Sequence, residues 1–378
     1  MSKKVLVFGM TDNPGGMESC VMNYYRNIDL DKVQFDFLCN WEQMVYADEV
    51  MKNGSKIYTI PQRSKDYKAY KKAMDSFFEK HAGEYDVFWY NTCTLTNIDY
   101  LVYAKRYGIK KRIIHAHNSG NETTLLRGIF HYLNKARIGI YATDFWSCSM
   151  AASKYFYSDR IIASKKHHII NNAIKAEQYK YDVQTRNETR KELGLEEKYV
   201  IGHIGRFQYQ KNHEFLIDIF AAYAKMNDKA HLLLIGQGEN QGTVRQKVAA
   251  LNLQDKVTFT GARLDVDKLV QAMDIFVFPS RFEGLGIVLI EAQAAGLKCI
   301  TSKGKVPYEV NITGNVEFVE LAENPEEWAE SIRKIEEEHV ERSNCLPLIV
   351  KAGYDINTEK DKLIAYLKET SYEKSTIN

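Results

Sequence analysis

The chain has 378 residues, a length that predicts two domains of roughly 150 to 200 residues each instead of one core. Hydrophobic residues make up 45% and charged residues 26% of it, which is ordinary globular composition, and the mean hydropathy of -0.40 excludes a multi-span membrane protein. The net charge of +2 conceals an asymmetry, since residues 1–180 carry a net charge of +8 and the remainder carries −6.

The first half of the chain alternates short β-rich runs with helical stretches. Its opening run predicts a first strand and not a signal peptide, because the apolar segment is short and a polar turn follows at once. The predicted strands are VLVFGM, FDFLCN, KIYTI, DVFWYN, RIIHAHN, FWSCS and HHIINNAI, and the clearest helices are MESCVMNYYRNI and YKAYKKAMDSFFEKH. The six cysteines lie far apart without a Cys-x-x-Cys pair, which predicts reduced thiols in a cytoplasmic protein.

The second half repeats this alternation after a polar stretch, residues 175–198, that has no strand pattern. Its predicted strands are YVIGHIGRF, HLLLIGQGE, VTFTGA, IFVFPS, KCITS and VEFVEL, and its helices are HEFLIDIFAAYAKM, QGTVRQKVAALN, VDKLVQAM and GIVLIEAQAAG. Such alternation is typical of α/β domains with doubly wound parallel sheets. We predict an N-terminal domain of residues 1–174, a C-terminal domain of residues 175–355 and a final helical segment, 356–378, that packs back towards the N-terminal domain.

Polar motifs follow two strands of the first half, where ligands bind in sheets of this kind. The segment TDNPGGMES follows the first strand, and its Gly15 and Gly16 let the backbone approach a ligand. This is not the dinucleotide fingerprint, and a glycine pair alone is more often only a turn. In the motif HAHN, His115 and His117 share one face of a strand end, but no third ligand completes a metal site.

The second half carries two further motifs at strand ends. The segment GRFQYQKN begins at Gly205 and places Arg206 and Lys211 ahead of a helix. The arginine fork and the lysine point charge suit a diphosphate, although a solvated basic loop is the alternative. After HLLLIG, Gly236 and Gly238 again permit close approach.

Two carboxylates lie eight positions apart in FPSRFEGLGIVLIEAQAAG, residues 278–296. Glu283 lies in the loop after a predicted buried strand, and Glu291 lies on the helix that Gly286 opens. The free N–H groups and positive dipole end of such a helix suit a ligand with anionic and hydroxyl groups. The alternative is a loop acid and a helix acid that pair elsewhere on the surface.

The order GGME, HAHN, GRFxxxKN, GQGE and Glu-x7-Glu resembles the retaining GT-B glycosyltransferases of family four, and more narrowly the EpsF-like group of bacterial exopolysaccharide and capsule synthesis. The resemblance covers about residues 3 to 370, and GRFQYQKN and SRFEGLGIVLIEAQAAG are its most specific parts. It implies two Rossmann-like domains that face each other across a cleft, with the acceptor on the N-terminal side and the donor on the C-terminal side. It also implies retaining transfer from a nucleotide diphosphate sugar, with a UDP-sugar expected, to a glycan acceptor such as a lipid-linked oligosaccharide.

The resemblance also implies roles for individual residues. Glu283 would meet hydroxyls of the donor sugar, Glu291 the ribose hydroxyls, and His117 the transferred sugar near its reacting centre. The implied catalytic residues are His117, Arg206, Lys211 and Glu283. The implied donor-binding residues are Gly15, Gly16, Gly205, Arg206, Lys211, Gly236, Gly238, Glu283, Gly284, Leu285, Gly286 and Glu291.

Charge suggests how the transfer would proceed. Arg206 and Lys211 would stabilise the departing diphosphate, so we predict no metal and no other cofactor. The metal-dependent alternative needs an Asp-x-Asp at a strand end. The two matches, residues 29–31 and 265–267, are interpreted as a turn and as a helix cap. Because no carboxylate is clearly placed as a nucleophile, the resemblance implies front-face substitution, in which the leaving phosphate takes the acceptor's proton.

Basic clusters in the first half suggest a further partner. They are RSKDYKAYKK at 63–72, KRYGIKKR at 105–112 and KKHH at 165–168. Such clusters are usually solvated helix faces, and the sharper alternatives are an anionic membrane surface and nucleic acid. No nucleic-acid motif is present, so we predict weak peripheral binding to the inner face of the cell membrane, through Tyr67, Tyr70 and the lysines of 68–72, and no nucleic-acid partner.

Two other classes of function stay open. A GT-B sugar-nucleotide epimerase or hydrolase would share the two-sheet architecture, but it would need no basic surface on the lipid side. A non-catalytic two-lobed protein that binds nucleotide sugars would also alternate strands and helices, but it would normally carry a secretion signal. Product analysis with and without an acceptor separates the three classes.

Overall fold

The computed structural model describes residues 2–118, 120, 125–322, 324–339 and 341–369. The chain divides into two compact units. The first unit consists of Met1–Ala173 together with Ile356–Asn378, and the second consists of Ile174–Asp355. Residues 370–378 of the predicted C-terminal segment lie outside the described residues.

All thirteen predicted strands form, and each lies within or overlaps its predicted run. Their bounds are β1 (Lys3–Phe8), β2 (Val33–Cys39), β3 (Ile57–Thr59), β4 (Val87–Thr92), β5 (Lys111–Ala116), β6 (Asp144–Ser147), β7 (His167–Ile169), β8 (Tyr199–Ile204), β9 (Ala230–Ile235), β10 (Val257–Gly261), β11 (Ile275–Phe278), β12 (Lys298–Ser302) and β13 (Val316–Val319). Every residue of β4 and of β9 is buried, as expected for parallel strands that helices cover on both faces.

The predicted helices also form, together with several that the sequence patterns did not indicate. Their bounds are α1 (Gly16–Asn27), α2 (Ala47–Lys52), α3 (Tyr67–His81), α4 (Asp99–Arg106), α5 (Leu125–Tyr141), α6 (Met150–Phe156), α7 (Asp159–Ile162), α8 (Ala176–Tyr179), α9 (Val183–Leu193), α10 (His213–Tyr223), α11 (Gln241–Ala250), α12 (Val266–Gln271), α13 (Ile287–Ala294), α14 (Pro325–Glu337), α15 (Leu346–Lys351) and α16 (Ile356–Lys368). The polar stretch 175–198 contains α8 and α9 and no strand.

Local signals in the sequence explain where several helices begin. The carboxylate of Asp66 accepts a hydrogen bond from the Ala69 N–H and caps α3, which then buries Tyr70, Met74 and Phe78 on one face. Asn324 caps α14 in the same way. The apolar residues of α3 recur every three or four positions, so they share one face of the helix, and this face is the buried one.

Both sheets are parallel, and in each the strand order reverses next to the first strand. The first unit has the order β3-β2-β1-β4-β5-β6-β7, and the second has the order β10-β9-β8-β11-β12-β13. Strand β1 pairs in parallel with both β2 and β4, and β8 pairs in parallel with both β9 and β11. In the first sheet, the connection after β1 therefore runs towards β2 and the connection after β4 runs the opposite way, towards β5, which opens a crevice at the carboxyl ends of β1 and β4. The connections after β8 and β11 diverge in the same way and open a second crevice at the carboxyl ends of those strands.

Each unit has its own hydrophobic core. In the first, α16 packs against α1 and buries Ile356, Leu363 and Leu367 with the residues of β1, β2 and β4. The ammonium group of Lys111 donates hydrogen bonds to the carbonyl oxygens of Tyr366 and Glu369, at the end of this helix. In the second unit, Trp328 of α14 lies in the core beside β8 and β9 residues.

The loops after β8 and β9 approach so closely that glycine is required between them. Gly236 has φ +137°, and a Cβ there would lie 2.1 Å from the carbonyl oxygen of Gly205. A Cβ on Gly238 would lie 2.5 Å from the carbonyl oxygen of Phe207. Glycine at both positions therefore allows the two loop backbones to pack against each other. The predicted contact of these glycines with a ligand stays a prediction.

We expect Gly236→Ala to lower the free energy of unfolding by at least about 3 kcal/mol, because it adds both a backbone clash and a strained φ. Gly242→Ala in α11 is the matched control, since no atom lies within 4 Å of its Cβ position. That variant should be neutral or up to about 1 kcal/mol more stable. Urea unfolding measures both. Equal effects of the two substitutions would contradict the packing argument.

Candidate functional site

Three loops at the carboxyl edge of the second sheet are joined into one structure. We call them loop 1 (residues 205–212, after β8), loop 2 (residues 236–240, after β9) and loop 3 (residues 279–286, after β11). Loop 1 bonds to loop 2 through the Phe207 N–H, which donates to the Gln237 carbonyl oxygen at 3.2 Å, and through the Asn240 N–H, which donates to the Phe207 carbonyl oxygen at 3.0 Å. Two backbone hydrogen bonds therefore join loops 1 and 2.

Loop 1 is joined to loop 3 by side chains that the sequence motifs did not single out. The Asn212 amide donates to the Pro279 carbonyl oxygen at 3.1 Å, and the Gln210 amide donates to the Phe282 carbonyl oxygen at 2.8 Å. The Arg281 N–H donates to the Gln210 carbonyl oxygen at 2.8 Å. The sequence gives no sign that Gln210 and Asn212 bind loop 3, because these amides reach its carbonyl oxygens only when β8 and β11 lie side by side.

The same interface brings together two predicted catalytic residues, Lys211 and Glu283. The ammonium nitrogen of Lys211 lies 2.6 Å from a carboxylate oxygen of Glu283, and the two side chains are 15% and 7% exposed. The ammonium group also lies 4.6 Å from the centre of the Phe278 ring. A pair this well buried is strongly coupled, because removal of either partner takes from the other the counter-ion it contacts in the interior.

Arg206 differs from Lys211 in its surroundings. Its guanidinium lies 3.4 Å from the carboxylate of Glu239, and the two side chains are 47% and 58% exposed. Such a pair is weak in water, so the guanidinium remains accessible to a solute anion. The two cations of the motif therefore have different environments, one buried and paired and the other open to solvent.

Helix α13 begins directly after loop 3 and carries the second acid. Gly286 has φ +86°, a left-handed conformation that favours glycine, and it lets the chain turn into the helix. Leu285 is buried, so its side chain belongs to the core and only its backbone can meet a ligand. Burial raises the pKa of the Glu291 carboxyl to about 7, with the Tyr179 hydroxyl hydrogen-bonded to it and Asp267 nearby.

The first unit has a polar cluster at its own crevice, between β1 and β4. The Thr11 hydroxyl donates to the Glu18 carboxylate at 2.7 Å, and burial raises the pKa of that carboxyl. A Cβ on Gly15 would lie 2.7 Å from Glu18, so this glycine makes room for the acid, whereas Gly16 has open space around it. Glu18 lies on α1, and the GGME motif was its only sequence signal.

The predicted His117 lies beside this cluster and is held by a residue that the sequence reasoning missed. Its Nε2 lies 2.9 Å from the side-chain oxygen of Asn91, whose amide donates to the Phe8 carbonyl oxygen at 3.2 Å. The rings of His117 and His115 are 4.0 Å apart. Asn91 is the next-to-last residue of β4, so the polar residue near a strand end was a usable signal.

The two Asp-x-Asp matches are structural, but the second differs from its prediction. The Asp29 carboxylate accepts from the Asp31 N–H at 3.1 Å in the turn before β2. Asp265 occupies the cap position of α12 without a capping bond, and its carboxylate instead binds the Arg263 guanidinium at 2.6 and 2.7 Å. The predicted side-chain cap is therefore wrong. Among the described residues, no group of three or more His, Cys, Asp or Glu side chains is arranged as a metal site.

Comparisons with known proteins identify the family. Residues 185–346, which include all three loops and α13, match the family model "Glycosyl transferases group 1". The EpsF protein of Bacillus subtilis is 28% identical over 384 aligned residues, which cover 95% of this chain and 98% of that protein. The chain therefore contains a group 1 glycosyltransferase domain, and its fold is GT-B. The predicted fold class and the family resemblance are confirmed.

Other relatives agree with this assignment. The UDP-Gal:alpha-D-GlcNAc-diphosphoundecaprenol alpha-1,3-galactosyltransferase of Escherichia coli is 30% identical over 155 residues, 39% of this chain and 37% of that protein. The crystal structure of Anabaena HepE in complex with UDP and glucose superimposes with a TM-score of 0.78, at 18% identity, over 97% of this chain and 99% of that one. The second similarity concerns the fold alone.

Burial keeps several histidines of this glycosyltransferase neutral. It lowers the pKa of His117 to about 3 and the pKa of His203 and His231 to about 4, and it lowers the pKa of His115 well below its usual range. His203 bonds to the Val277 carbonyl oxygen at 2.8 Å, which joins β8 to β11 beneath the loops. Protonation of these rings would therefore disturb both crevices.

We expect the free energy of unfolding to fall as the pH falls from 6.5 towards 4. The unfolded histidines titrate near 6.5 while the folded ones stay neutral to about 4, so the unfolded state binds more protons in this window. Each such histidine removes about 1.4 kcal/mol of stability per pH unit. Glu291 and Glu18 act in the opposite direction, because burial raises the folded pKa of both carboxyls, to about 7 for Glu291, but the four histidines named above outnumber them.

Urea unfolding at a series of pH values measures this dependence. The control is His231→Gln, which can keep a hydrogen bond to the Thr258 hydroxyl and removes one titrating ring. Unfolding of this variant should take up about one proton less than unfolding of the parent protein, so its free energy of unfolding should depend less steeply on pH. Stability that is constant or rises between pH 6.5 and pH 5 would refute the neutral-histidine account.

Proposed function

We propose that this glycosyltransferase moves a sugar from a nucleotide diphosphate sugar, with a UDP-sugar as the expected donor, to a glycan acceptor with retention of configuration. The observation that carries the proposal is the Lys211–Glu283 pair, which joins loop 1, the loop of Arg206, to loop 3, the loop that leads into the helix of Glu291, at the crevice where the strand order of the second sheet reverses. Cations, a paired carboxylate and a helix acid match the diphosphate, sugar and ribose parts of such a donor.

The known relatives support the class of donor and of acceptor. HepE was crystallised with UDP and glucose, and the name of the Escherichia coli enzyme gives a UDP-sugar as donor and a diphosphoundecaprenol-linked sugar as acceptor. We therefore propose a lipid-linked oligosaccharide of exopolysaccharide or capsule synthesis as the acceptor. Transfer would then occur at the cytoplasmic face of the membrane that holds the lipid.

The proposed step breaks the bond between the anomeric carbon and the diphosphate oxygen and forms a bond from that carbon to an acceptor hydroxyl oxygen. The bonding electrons leave with the diphosphate, where Arg206 and Lys211 stabilise the added negative charge without a metal. The acceptor's proton passes to the departing phosphate oxygen. Glu283 orients the sugar through its hydroxyls, and His117 contacts the transferred sugar in the same proposal.

The first experiment asks which donor and which product are used. Purified protein is incubated with a panel of nucleotide sugars, thermal protection identifies the donor, and proton NMR of the product gives its anomeric configuration. Retained configuration and a strict need for an acceptor support the proposal. Inverted product would refute retention. Conversion or hydrolysis of the donor without acceptor would indicate the epimerase or hydrolase class, and binding without turnover the non-catalytic one.

We expect Arg206→Ala and Lys211→Ala each to lower turnover by at least about 100-fold, the size of effect seen when one charge-stabilising donor is lost. The two should differ in stability. Arg206→Ala should fold normally because its side chain is half exposed, whereas Lys211→Ala should lose about 3 kcal/mol because it leaves Glu283 buried and unneutralised by its lysine. Steady-state kinetics and urea unfolding measure both effects.

Two controls make this test specific. Arg333→Ala removes an exposed arginine of α14 that pairs with Glu330 and Glu337, and it should keep turnover within about twofold. Lys211→Met combined with Glu283→Gln should recover most of the lost stability but not the activity. Full activity of Arg206→Ala, or strict dependence of the parent protein on added Mg²⁺ or Mn²⁺, would refute the role of the cations.

We expect Glu291→Gln to weaken binding of the free nucleoside diphosphate by about 1–3 kcal/mol, because a carboxylate accepts both ribose hydroxyls better than an amide does. Glu283→Gln should spare this affinity and impair sugar transfer. Because the pKa of Glu291 is about 7, nucleotide affinity should also fall below pH 7 in the parent and not in Glu291→Gln. Calorimetry measures all three. Equal losses of affinity in both variants would contradict the division of roles.

A further inference from the structure

Helix α5 of the first unit is oriented with its polar side inward. The residues that face the unit are His131, Asn134 and Ile138. The opposite side carries seven large apolar or aromatic residues, which are between 47% and 84% exposed. We call these residues the α5 outer face: Leu125, Leu126, Ile129, Phe130, Tyr132, Leu133 and Ile140. At about 100° per residue, they form one continuous stripe opposite the buried one.

Hydrogen bonds hold the helix in this orientation. The Leu95 N–H donates to Nδ1 of His131 at 3.2 Å, and the Asn134 amide donates to the Leu95 carbonyl oxygen at 2.6 Å. Nε2 of His131 lies 3.2 Å from the Tyr155 carbonyl oxygen, to which Lys135 also donates at 3.0 Å. A helix turned the other way would leave these buried backbone groups without partners. The apolar stripe is therefore fixed on the outside.

The charged residues of α5 itself all have one sign, although the carboxylate of Asp159 lies near Lys135. Residues 125–141 contain Arg127, Lys135 and Arg137 and no acid. The neighbouring end of α4 adds a further cation, since the Lys105 ammonium donates to the Ile140 carbonyl oxygen at 2.9 Å. The helix therefore combines an exposed apolar stripe with neighbouring cations. Seven exposed apolar or aromatic side chains on one helix face are more than a domain surrounded only by water usually presents.

We propose that the α5 outer face docks on the surface of an anionic lipid bilayer, with its apolar residues in the interfacial layer and the neighbouring cations at the lipid headgroups. The chemistry of the face selects this partner, because interfacial helices combine an apolar side with arginine and lysine. A second copy of the chain fits less well, since two-fold pairing would oppose two helices whose own charged residues are all basic. No helix among the described residues is long and apolar enough to span a bilayer.

This surface replaces the one predicted from the sequence. Tyr70 of α3 is 2% exposed and its hydroxyl donates to Asp99, so the predicted pairing of two interfacial tyrosines with lysines is wrong. Only Tyr67 remains exposed there, beside the lysines of 68–72. Because its apolar stripe is turned inward, the outer side of α3 has the composition of an ordinary solvated helix face.

The inference rests on the proposed function for its purpose and deepens it. Leu95, which anchors α5, lies in the loop directly after β4, at the same sheet edge as Asn91 and His117. A bilayer on the α5 outer face would thus lie next to the crevice of the first unit, where a lipid-linked acceptor can enter. Membrane binding itself requires no turnover, so the two proposals can fail separately.

The test is co-sedimentation of the full chain with vesicles of phosphatidylglycerol and phosphatidylcholine, or of phosphatidylcholine alone, across a salt series. We expect salt-sensitive binding to the anionic vesicles and little to the neutral ones. The triple variant Leu126→Ser, Ile129→Ser, Leu133→Ser should bind at least about tenfold more weakly, because three inserting side chains are lost. These positions are exposed, so thermal unfolding should be unchanged.

The matched control is Lys68→Glu, Lys71→Glu, Lys72→Glu on α3, which should reduce vesicle binding less than the serine variant does. The serine variant should turn over a water-soluble acceptor normally and lose activity only on an acceptor held in vesicles. Equal binding to neutral vesicles, parent-like binding of the serine variant, or a concentration-dependent dimer that this variant abolishes would each overturn the proposal. Absence of any sugar transfer would refute the proposed function and leave the vesicle result standing.

Discussion

The adjacency of β8 and β11 is the constraint on which the crevice of the second unit depends. These strands are separated by some 70 residues of chain, yet they pair in parallel, so their carboxyl ends meet at one edge. Loop 1 and loop 3 are then close enough for amide side chains to join them, and the Lys211–Glu283 ion pair closes the contact. The acid of one motif is thus placed by the cation of another.

Burial at this edge of the sheet determines how Lys211, Glu283 and Glu291 carry charge. The lysine and the acid neutralise each other where water is scarce, and Glu291 has a raised pKa for the same reason. Arg206 remains half exposed and keeps its charge available. A leaving diphosphate would therefore meet one cation that is already held in position and one that can move to it, which reduces the reorganisation needed during transfer.

The first unit uses the same topology with different chemistry. Its crevice between β1 and β4 presents neutral, buried histidines, an amide and a protonation-prone acid in place of cations. Helix α5 is attached beside it by polar contacts and turns its apolar side outward. Part of the basic excess of residues 1–180 therefore lies on or beside an apolar stripe, namely Lys105, Arg127, Lys135 and Arg137.

The sequence alone determined the thirteen strands, several of the helices but neither α5 nor α14, the parallel α/β class and the motifs at strand ends. Burial on both faces requires continuous apolar runs, and ligand loops require glycine and charge after them. Only the tertiary structure decided that Lys211 pairs with Glu283, that Gly236 is needed for backbone packing and that Asn91 holds His117. It also decided the orientations of α3 and α5: Tyr70 is buried and the apolar stripe of α5 is exposed. The periodicity of a helix shows that it has two faces, but which face turns inward depends on the hydrogen-bonding groups of the segments it packs against, and these come from distant parts of the chain.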